Sequence, residues 1–315
     1  THKLTNCLNI RELSFFGRKQ ELSQLEEYLS LVETGEAVGP FLVMGQSGTG
    51  KKRLLRQLVL MSNRSFNFIK VEGKATSQRY EGSSWNDLRQ ALEKLGDEMG
   101  ISLLEEEDDL ISVWNQLQGL SKEKPLLILL ENAQWIDAVS LEKVKQLEER
   151  RSQEKWQLIF TAEEPLPASF VNFLGSLKVE KRLSQLELTN FEPSESRALL
   201  KGELGAIEPA VMEQMVEWSE GSPFLLSSYI EEWKENENLE PLPDIIQAYL
   251  TQELGDMSSE EEALLHYLSC FHKPISLSIL AELTATELPV LTELIEPLSE
   301  RAIVSIVEEG EALMV

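Results

Sequence analysis

The sequence predicts an α/β fold in which a mostly parallel sheet carries helices on both faces, with two smaller regions behind it. Short apolar runs alternate with helical periodicity over residues 1–190, the strand pattern then stops, and residues 251–315 show helices followed by two strands. Strands that alternate with helices are typical of parallel sheets, because each connection places a helix over the sheet. We therefore predict three domains, over residues 1–190, 191–250 and 251–315.

The first domain opens with a helix before its first strand. A leucine-rich stripe over residues 19–33 indicates this helix, and Gly35 ends it. The pattern then predicts, in order, a strand from residue 41, helix 53–61, strand 66–71, helices 84–98 and 108–120, strand 125–130, helix 138–151, strand 156–160, helix 168–175 and strand 183–188.

The remaining residues predict two helical regions. Helical patterns at 193–201, 208–219 and 222–234 indicate a helical domain. The polar, proline-bearing stretch 236–243 is either its boundary or a simple loop inside one domain. Ser258 to Glu261 form a capping-box pattern that starts a helix over 262–270, and further helices are predicted at 276–284 and 287–299. Strands at 301–307 and 311–315 flank a tight turn at 308–310. Three helices followed by a hairpin is the order of a winged helix.

Composition excludes several classes of function. The formal net charge of −25 repels nucleic acid, and the longest apolar run, 126–130, is too short to span a bilayer. Two cysteines, Cys7 and Cys270, without metal-ligand spacing are typical of a reducing compartment, so we predict a cytoplasmic protein. The chain starts without Met and stops in a predicted strand, so we expect it to be a piece of a longer protein. Only three histidines are present, which argues against a histidine-based metal site.

The turn after the first strand carries the strongest chemical signal. It fits the phosphate-binding pattern G-x-x-x-x-G-K, in which backbone N–H groups and a helix N-terminus surround an anion and a lysine reaches the outer phosphates. We assign phosphate binding to Gly45, Gln46, Ser47, Gly48, Thr49, Gly50, Lys51 and Lys52. At the last position the pattern requires a hydroxyl for Mg²⁺, whereas the ammonium of Lys52 cannot ligate a cation. A glycine-rich turn without function is the alternative interpretation.

The strand at 125–130 ends in the second chemical signal. Hydrolysing proteins of this type end this strand in an Asp that holds Mg²⁺ and then a second acid that activates water. Here the two positions are Glu131 and Asn132. Glu131 remains a candidate Mg²⁺ ligand, but the amide of Asn132 cannot take a proton at neutral pH. Alternatively, both residues merely end a buried strand.

Five segments together resemble the signal-transduction ATPases with numerous domains, an AAA-type branch of the P-loop NTPases. They are the Phe-Phe-Gly-Arg segment at 15–18, the glycine loop at 45–51, the strand end at 131–141, the Gly-Ser-Pro turn at 221–223 and the terminal winged-helix pattern. The resemblance covers residues 12–315 and is nearest to the branch found in maltose-regulon-type activators and in multidomain cyclases and kinases. It implies a P-loop NTPase domain, a helical lid and a winged helix that folds against the nucleotide domain.

The resemblance also implies roles for individual residues. Gly17 and Arg18 would lie against the base and ribose of ATP or ADP, and Pro223 would bring the helical lid onto the nucleotide. Thr161 is placed as the polar sensor of the terminal phosphate. Glu163 stands where many relatives carry Arg. The departures from the family pattern thus fall on the side of the third phosphate, which predicts nucleotide binding with weak or absent hydrolysis.

The sequence leaves four functions open. The first is a nucleotide-dependent regulatory switch whose partners are proteins or other domains of the same chain. The second is an active ATPase with Glu131 as metal ligand, and the third is a nucleotide-free scaffold. The fourth, a DNA-binding ATPase resembling origin-recognition proteins, conflicts with thirteen acidic residues against Lys273 and Arg301 in residues 251–315.

Overall fold

The computed structural model describes most of the chain and divides it into two compact units. One unit falls within residues 11–239 and the other within residues 240–315. The described residues are 15–34, 36, 38–74, 80–101, 109–122, 124–151, 155–179, 183–237, 239, 247, 257–271, 275–300, 304–307 and 312–314. Cys7 and the predicted turn at 308–310 lie outside them.

The first unit contains a five-stranded parallel sheet. Its strands are β1 (Phe41–Gly45), β2 (Asn67–Glu72), β3 (Leu126–Glu131), β4 (Trp156–Ala162) and β5 (Ser184–Leu188), in the order β2-β3-β4-β1-β5. Every neighbouring pair is parallel. All residues of β3 and β4 are buried, as expected of central strands covered on both faces. The predicted α/β fold with a parallel sheet is therefore confirmed.

Helices cover both faces of this sheet. They are α1 (Lys19–Thr34), α2 (Lys51–Ser62), α3 (Ser83–Met99), α4 (Asp109–Leu120), α5 (Ala138–Arg150) and α6 (Ala168–Val179). One apolar core joins α1 and α2 to the sheet through residues such as Leu25 and Leu55. A second core joins α3 to α6 to the opposite face through Trp85, Val113 and Phe170. The carboxyl ends of all five strands consequently meet at one edge, where parallel sheets place their ligands.

Three further helices complete the first unit. They are α7 (Pro193–Leu204), α8 (Pro209–Ser219) and α9 (Pro223–Asn236), and each begins at a proline, whose missing N–H is harmless there. They share an apolar core that includes Leu200, Met215, Leu226 and Ile230. These helices match the helical pattern of the predicted second domain.

The second unit is smaller and mixes helices with a short sheet. Its helices are α10 (Ser259–Ser269), α11 (Leu277–Thr284) and α12 (Leu288–Glu300), and its strands are β6 (Ile275–Ser276), β7 (Ser305–Val307) and β8 (Ala312–Met314). The strands form an antiparallel sheet in the order β6-β8-β7. Sequence analysis missed β6, because two residues are too few to show alternation. Across the described segments of the chain, no helix is both long and apolar enough to cross a bilayer.

Candidate nucleotide-binding site

The predicted phosphate loop connects β1 to α2. Gln46 and Ser47 are exposed at its tip, whereas Thr49 is buried and its hydroxyl donates to the carbonyl oxygen of Gln46 at 2.8 Å. Gly48 adopts a φ of 80°, which glycine tolerates far better than other residues. Gly50 precedes the first residue of α2, so the loop delivers the chain to a helix N-terminus. This is the backbone arrangement that binds phosphate.

Lys51 is held at the base of the loop. Its side chain is 7% exposed. The ammonium donates to the carbonyl oxygens of Gly45 and Gln46 at 2.7 and 2.9 Å, and it lies 3.0 Å from the Glu163 carboxylate. Burial lowers the pKa of Lys51 most, Glu163 opposes this shift, and Lys52 adds to it. The lysine is therefore fixed in place below the loop.

Lys52 points to the ends of β2 and β3. Its Nζ atom lies 2.5 Å from Oε1 of Glu72 and 3.9 Å from Oε2 of Glu131. The same Glu131 oxygen lies 2.8 Å from Nζ of Lys70. The β2–β3 register pairs Glu72 with Glu131, which is why both carboxylates reach one ammonium. We call Lys52, Lys70, Glu72 and Glu131 the strand-end cluster.

This cluster does not fit a magnesium ion. Mg²⁺ requires oxygen ligands in octahedral geometry, and P-loop proteins supply one from the hydroxyl that follows the loop lysine. Here an ammonium occupies that position and pairs with the carboxylates that would serve the metal. Within the described ranges, no group of three or more His, Cys, Asp or Glu side chains is arranged to hold a metal.

Asn132 and Thr161 meet beside the strand-end cluster. Asn132 has a φ of 51°, its backbone N–H donates to the Thr161 hydroxyl at 3.0 Å, and its side-chain amide donates to Glu72 at 3.3 Å. Thr161 is fully buried. The structure thus brings together Glu131, Asn132 and Thr161 at one sheet edge. The contacts with Thr161 and Glu72 position Asn132. The side-chain amide of Asn132 cannot act as a base.

Arg18 connects the phosphate loop to the residue that follows β5. Its guanidinium donates to the carbonyl oxygens of Thr49 and Thr189 at 3.2 and 2.5 Å, and it stacks over the Phe191 ring at 4.7 Å. Gly17, with a φ of 67°, faces the same ring. Arg18, which is 7% exposed, and Phe191 line a pocket, and Gly17 packs behind the Phe191 ring.

The pocket lies between the phosphate loop and α7 and α9. Its space of about 390 Å³ includes the part that is open to solvent. Its lining is largely apolar and aromatic, with two arginines. The lining residues are Phe15, Phe16, Arg18, Thr49, Gly50, Arg53, Phe191, Leu199, Pro223 and Ser227.

The N-terminus of α9 contacts the phosphate loop directly. The backbone N–H of Phe224 donates to the carbonyl oxygen of Gly48 at 3.2 Å, and Pro223 lines the pocket. Phe191 donates its N–H to the carbonyl oxygen of Gly221 at 2.8 Å. A side chain at Gly221 would overlap the backbone of Phe191. The Gly-Ser-Pro turn therefore sets how closely the helical segment approaches the loop.

Sequence reasoning missed most of the pocket wall. Phe191 and Leu199 belong to no motif, and only the fold brings them to the loop. Ser227 lies one helical turn after Pro223, and its hydroxyl donates to the Pro223 carbonyl oxygen. Arg53 was within reach of prediction, because it lies two residues after Lys51 on the first turn of α2. Phe15 and Phe16 belong to a recognised segment, but the resemblance assigned roles to Gly17 and Arg18 alone.

Asp137 ties the segment after β3 to α3. It is 2% exposed and accepts hydrogen bonds from Gly82, Ser84 and Ser140, the last through both backbone and hydroxyl. Burial alone would raise the pKa of Asp137, but these hydrogen bonds outweigh it and lower the pKa below its ordinary value. The residue caps α5 and has a structural role.

The parallel sheet, the glycine loop before α2 and the buried loop lysine define a P-loop NTPase fold. Residues 14–160 match the AAA ATPase domain family. A search among curated proteins finds no match. The chain is similar in structure to the Walker-type ATPase PABY2304 of Pyrococcus abyssi, with 18% identity, a TM-score of 0.65 and coverage of 97% of this chain and 95% of that one.

Two origin-recognition proteins of Aeropyrum pernix share the fold. The ORC2 protein in its ADP form has 15% identity, a TM-score of 0.57 and coverage of 96% of this chain and 92% of that one. The ORC1 protein in complex with DNA has 14% identity, a TM-score of 0.54 and coverage of 99% and 92%. At sequence identities this low, the structural similarity establishes a shared fold and nothing further.

Proposed function

We propose that this chain is an ADP- or ATP-binding regulatory or scaffold module of a multidomain signalling protein, with little or no hydrolysis. Support for binding comes from the phosphate loop, which leads into a helix N-terminus, and from the adjoining pocket with its aromatic side chains and two arginines. The ADP-bound ORC2 structure of the same fold is consistent with this assignment.

One observation carries the proposal of weak hydrolysis. The Lys52 ammonium pairs with Glu72 and approaches Glu131, so a fixed positive charge stands where metal ligation is required. Phosphoryl transfer depends on metal bridging, on positioning of the attacking water and on cationic stabilisation. Asn132 cannot act as the base, and Glu163 brings negative charge to the loop lysine. Together these residues favour nucleotide binding without turnover.

The likeness to signal-transduction ATPases with numerous domains suggests how the module acts. We propose that bound nucleotide holds α7–α9 against the loop, where Phe224 already contacts Gly48. The three helices and the β6-β8-β7 sheet of the second unit support a winged-helix interpretation. Because residues 251–315 carry thirteen acidic and two basic side chains, we propose protein partners or other domains of the same cytoplasmic chain for this module.

The direct test is to denature purified protein and identify any released nucleotide by mass spectrometry. We expect ADP or ATP from the wild type and a strongly reduced amount from Lys51→Ala, which removes the loop ammonium. The matched control is Lys201→Ala, because Lys201 is an exposed helical lysine away from the site. Absence of nucleotide, together with no rise in melting temperature on adding ADP or ATP, would support the nucleotide-free scaffold instead.

A phosphate-release assay separates the proposal from an active ATPase. We expect wild-type release to equal that of Lys51→Ala. Steady turnover that disappears in Lys51→Ala would establish hydrolysis and contradict the proposal. Salt-dependent duplex binding would instead favour the DNA-binding alternative.

A further inference from the structure

The Lys51 ammonium already has a full set of acceptors. An ammonium carries three N–H donors, and here they meet the carbonyl oxygens of Gly45 and Gln46 and the carboxylate of Glu163. Of these acceptors, only the carboxylate has a full negative charge. A phosphate oxygen that contacts Lys51 must therefore compete with Glu163.

Glu163 stands on the side of the outer phosphates. It directly follows β4, whose register pairs Ala162 with Met44, so it lies beside the start of the loop. The same strand end carries Thr161, which contacts Asn132 at the end of β3. In P-loop proteins the loop lysine reaches the outer phosphates, and the polar ends of these strands face the terminal one.

Among the described side chains whose ion pairs meet at this edge, positive and negative charges are equal in number. Glu72, Glu131 and Glu163 face the ammonium groups of Lys51, Lys52 and Lys70. Three positive charges thus meet three negative charges before any nucleotide enters. In other P-loop proteins a bridging Mg²⁺ offsets the added charge of a triphosphate, but the strand-end cluster does not fit that ion.

We propose that Glu163 makes this site select nucleoside diphosphates over nucleoside triphosphates. The inference rests on the proposed function, because it assumes that the loop binds nucleotide. The loop amides and Lys51 can hold a second phosphate, whereas a third one extends towards a carboxylate of the same charge. Glu163 is a specificity-determining residue for the bound nucleotide and takes no part in any chemical step.

The test compares the affinities for ADP and ATP by calorimetry in EDTA. We expect the wild type to bind ADP at least about fivefold more tightly than ATP, since the repulsion between like charges about 4 Å apart corresponds to about this factor in bulk water and to a larger one where water is partly excluded. Glu163→Gln keeps the size and removes the charge, so we expect it to bring the two affinities to within about twofold, mainly by strengthening ATP binding. Glu164→Gln is the matched control, because Glu164 is exposed, and it should keep the wild-type ratio.

The outcomes separate the two proposals. If ADP binds and Glu163→Gln leaves the ADP-to-ATP ratio unchanged, the inference about Glu163 is overturned while nucleotide binding stands. A wild type that prefers ATP also overturns it. If neither nucleotide binds the wild type or Glu163→Gln, both proposals fail. Should Glu163→Gln not fold, as judged by circular dichroism, Glu163→Ala is measured in its place with the same criteria.

Discussion

The two sides of the candidate site, the phosphate loop with its pocket and the strand-end cluster, are held together by different kinds of contact. The phosphate loop and pocket depend on backbone atoms: loop carbonyls hold Lys51, Arg18 contacts the carbonyls of Thr49 and Thr189, and Gly221 allows the backbone of Phe191 to approach. The strand-end cluster depends on side chains of opposite charge. A substitution can replace a charged side chain without changing the fold, whereas the backbone carbonyl groups are the same whatever residue carries them. A fold of this kind can therefore retain phosphate binding while its metal ligands are replaced.

The largest effect is expected at the backbone contact between Gly221 and Phe191. Gly221→Ala should destabilise the first unit by about 4 kcal/mol, because the new Cβ overlaps the Phe191 backbone at a positive φ. Thermal or urea unfolding measures this loss.

Gly202→Ala is the matched control for that substitution. Gly202 lies within α7, and a Cβ there meets no heavy atom within 4 Å. Since alanine is the better helix former, we expect a gain of up to about 1 kcal/mol. Equal effects of the two substitutions would show that the close approach is unimportant.

A slightly smaller effect is expected at Asp137, where one side chain satisfies several backbone groups. Asp137→Asn should lower the free energy of unfolding by about 3 kcal/mol. The asparagine N–H₂ group would replace an oxygen that now accepts hydrogen bonds from the Ser84 N–H and the Ser140 hydroxyl. Asp87→Asn is the control, since Asp87 is exposed on α3, and it should change stability by less than about 0.5 kcal/mol.

The pH dependence of unfolding tests the same residue. A carboxyl whose pKa is lowered in the folded state stabilises the fold above its ordinary pKa of 3.8, and this contribution is lost as the pH falls below that value. We expect the stability difference between wild type and Asp137→Asn to shrink below pH 4. A difference that stays constant down to acid denaturation would contradict this reasoning.

The two sides of the site differed in how far the sequence could predict them. The glycine loop, β1 and α2 follow from local patterns, and the parallel sheet follows from alternation. The partner of Lys52 does not, because its pairing with Glu72 depends on β2 lying beside β3 in register. Likewise, Phe191 reaches Arg18 only through the path of the chain after β5. Contacts between distant segments need the strand order, which periodicity does not contain.

A change of intermediate size, this time in the Mg²⁺ dependence of nucleotide affinity, is expected when Lys52 of the strand-end cluster is replaced. Lys52→Thr removes the ammonium and supplies the missing hydroxyl, so Mg²⁺ should strengthen nucleotide binding about tenfold in this variant. In the wild type and in Lys201→Thr, Mg²⁺ should change the affinity by less than about twofold. No gain from Mg²⁺ in Lys52→Thr would show that Lys52 is not what opposes the metal.

The smallest effect is expected at an ion pair outside the site. Arg197 on α7 forms a bidentate pair with Glu213 on α8, with N···O distances of 2.8 and 2.7 Å, and both side chains are exposed. Because exposed pairs are screened by solvent, Arg197→Ala should shift the melting temperature by less than about 2 °C. A larger shift would mean that this exposed ion pair stabilises the protein more than solvent screening allows.

The most direct test of the central claim is a calorimetric titration of ADP into the wild type, once in EDTA and once in excess Mg²⁺. The loop amides, the helix N-terminus and Lys51 bind the phosphates in this account, and Lys52 replaces the metal. We therefore predict dissociation constants that agree within about twofold under the two conditions. Binding that requires Mg²⁺, or that Mg²⁺ strengthens about tenfold or more, would contradict the account.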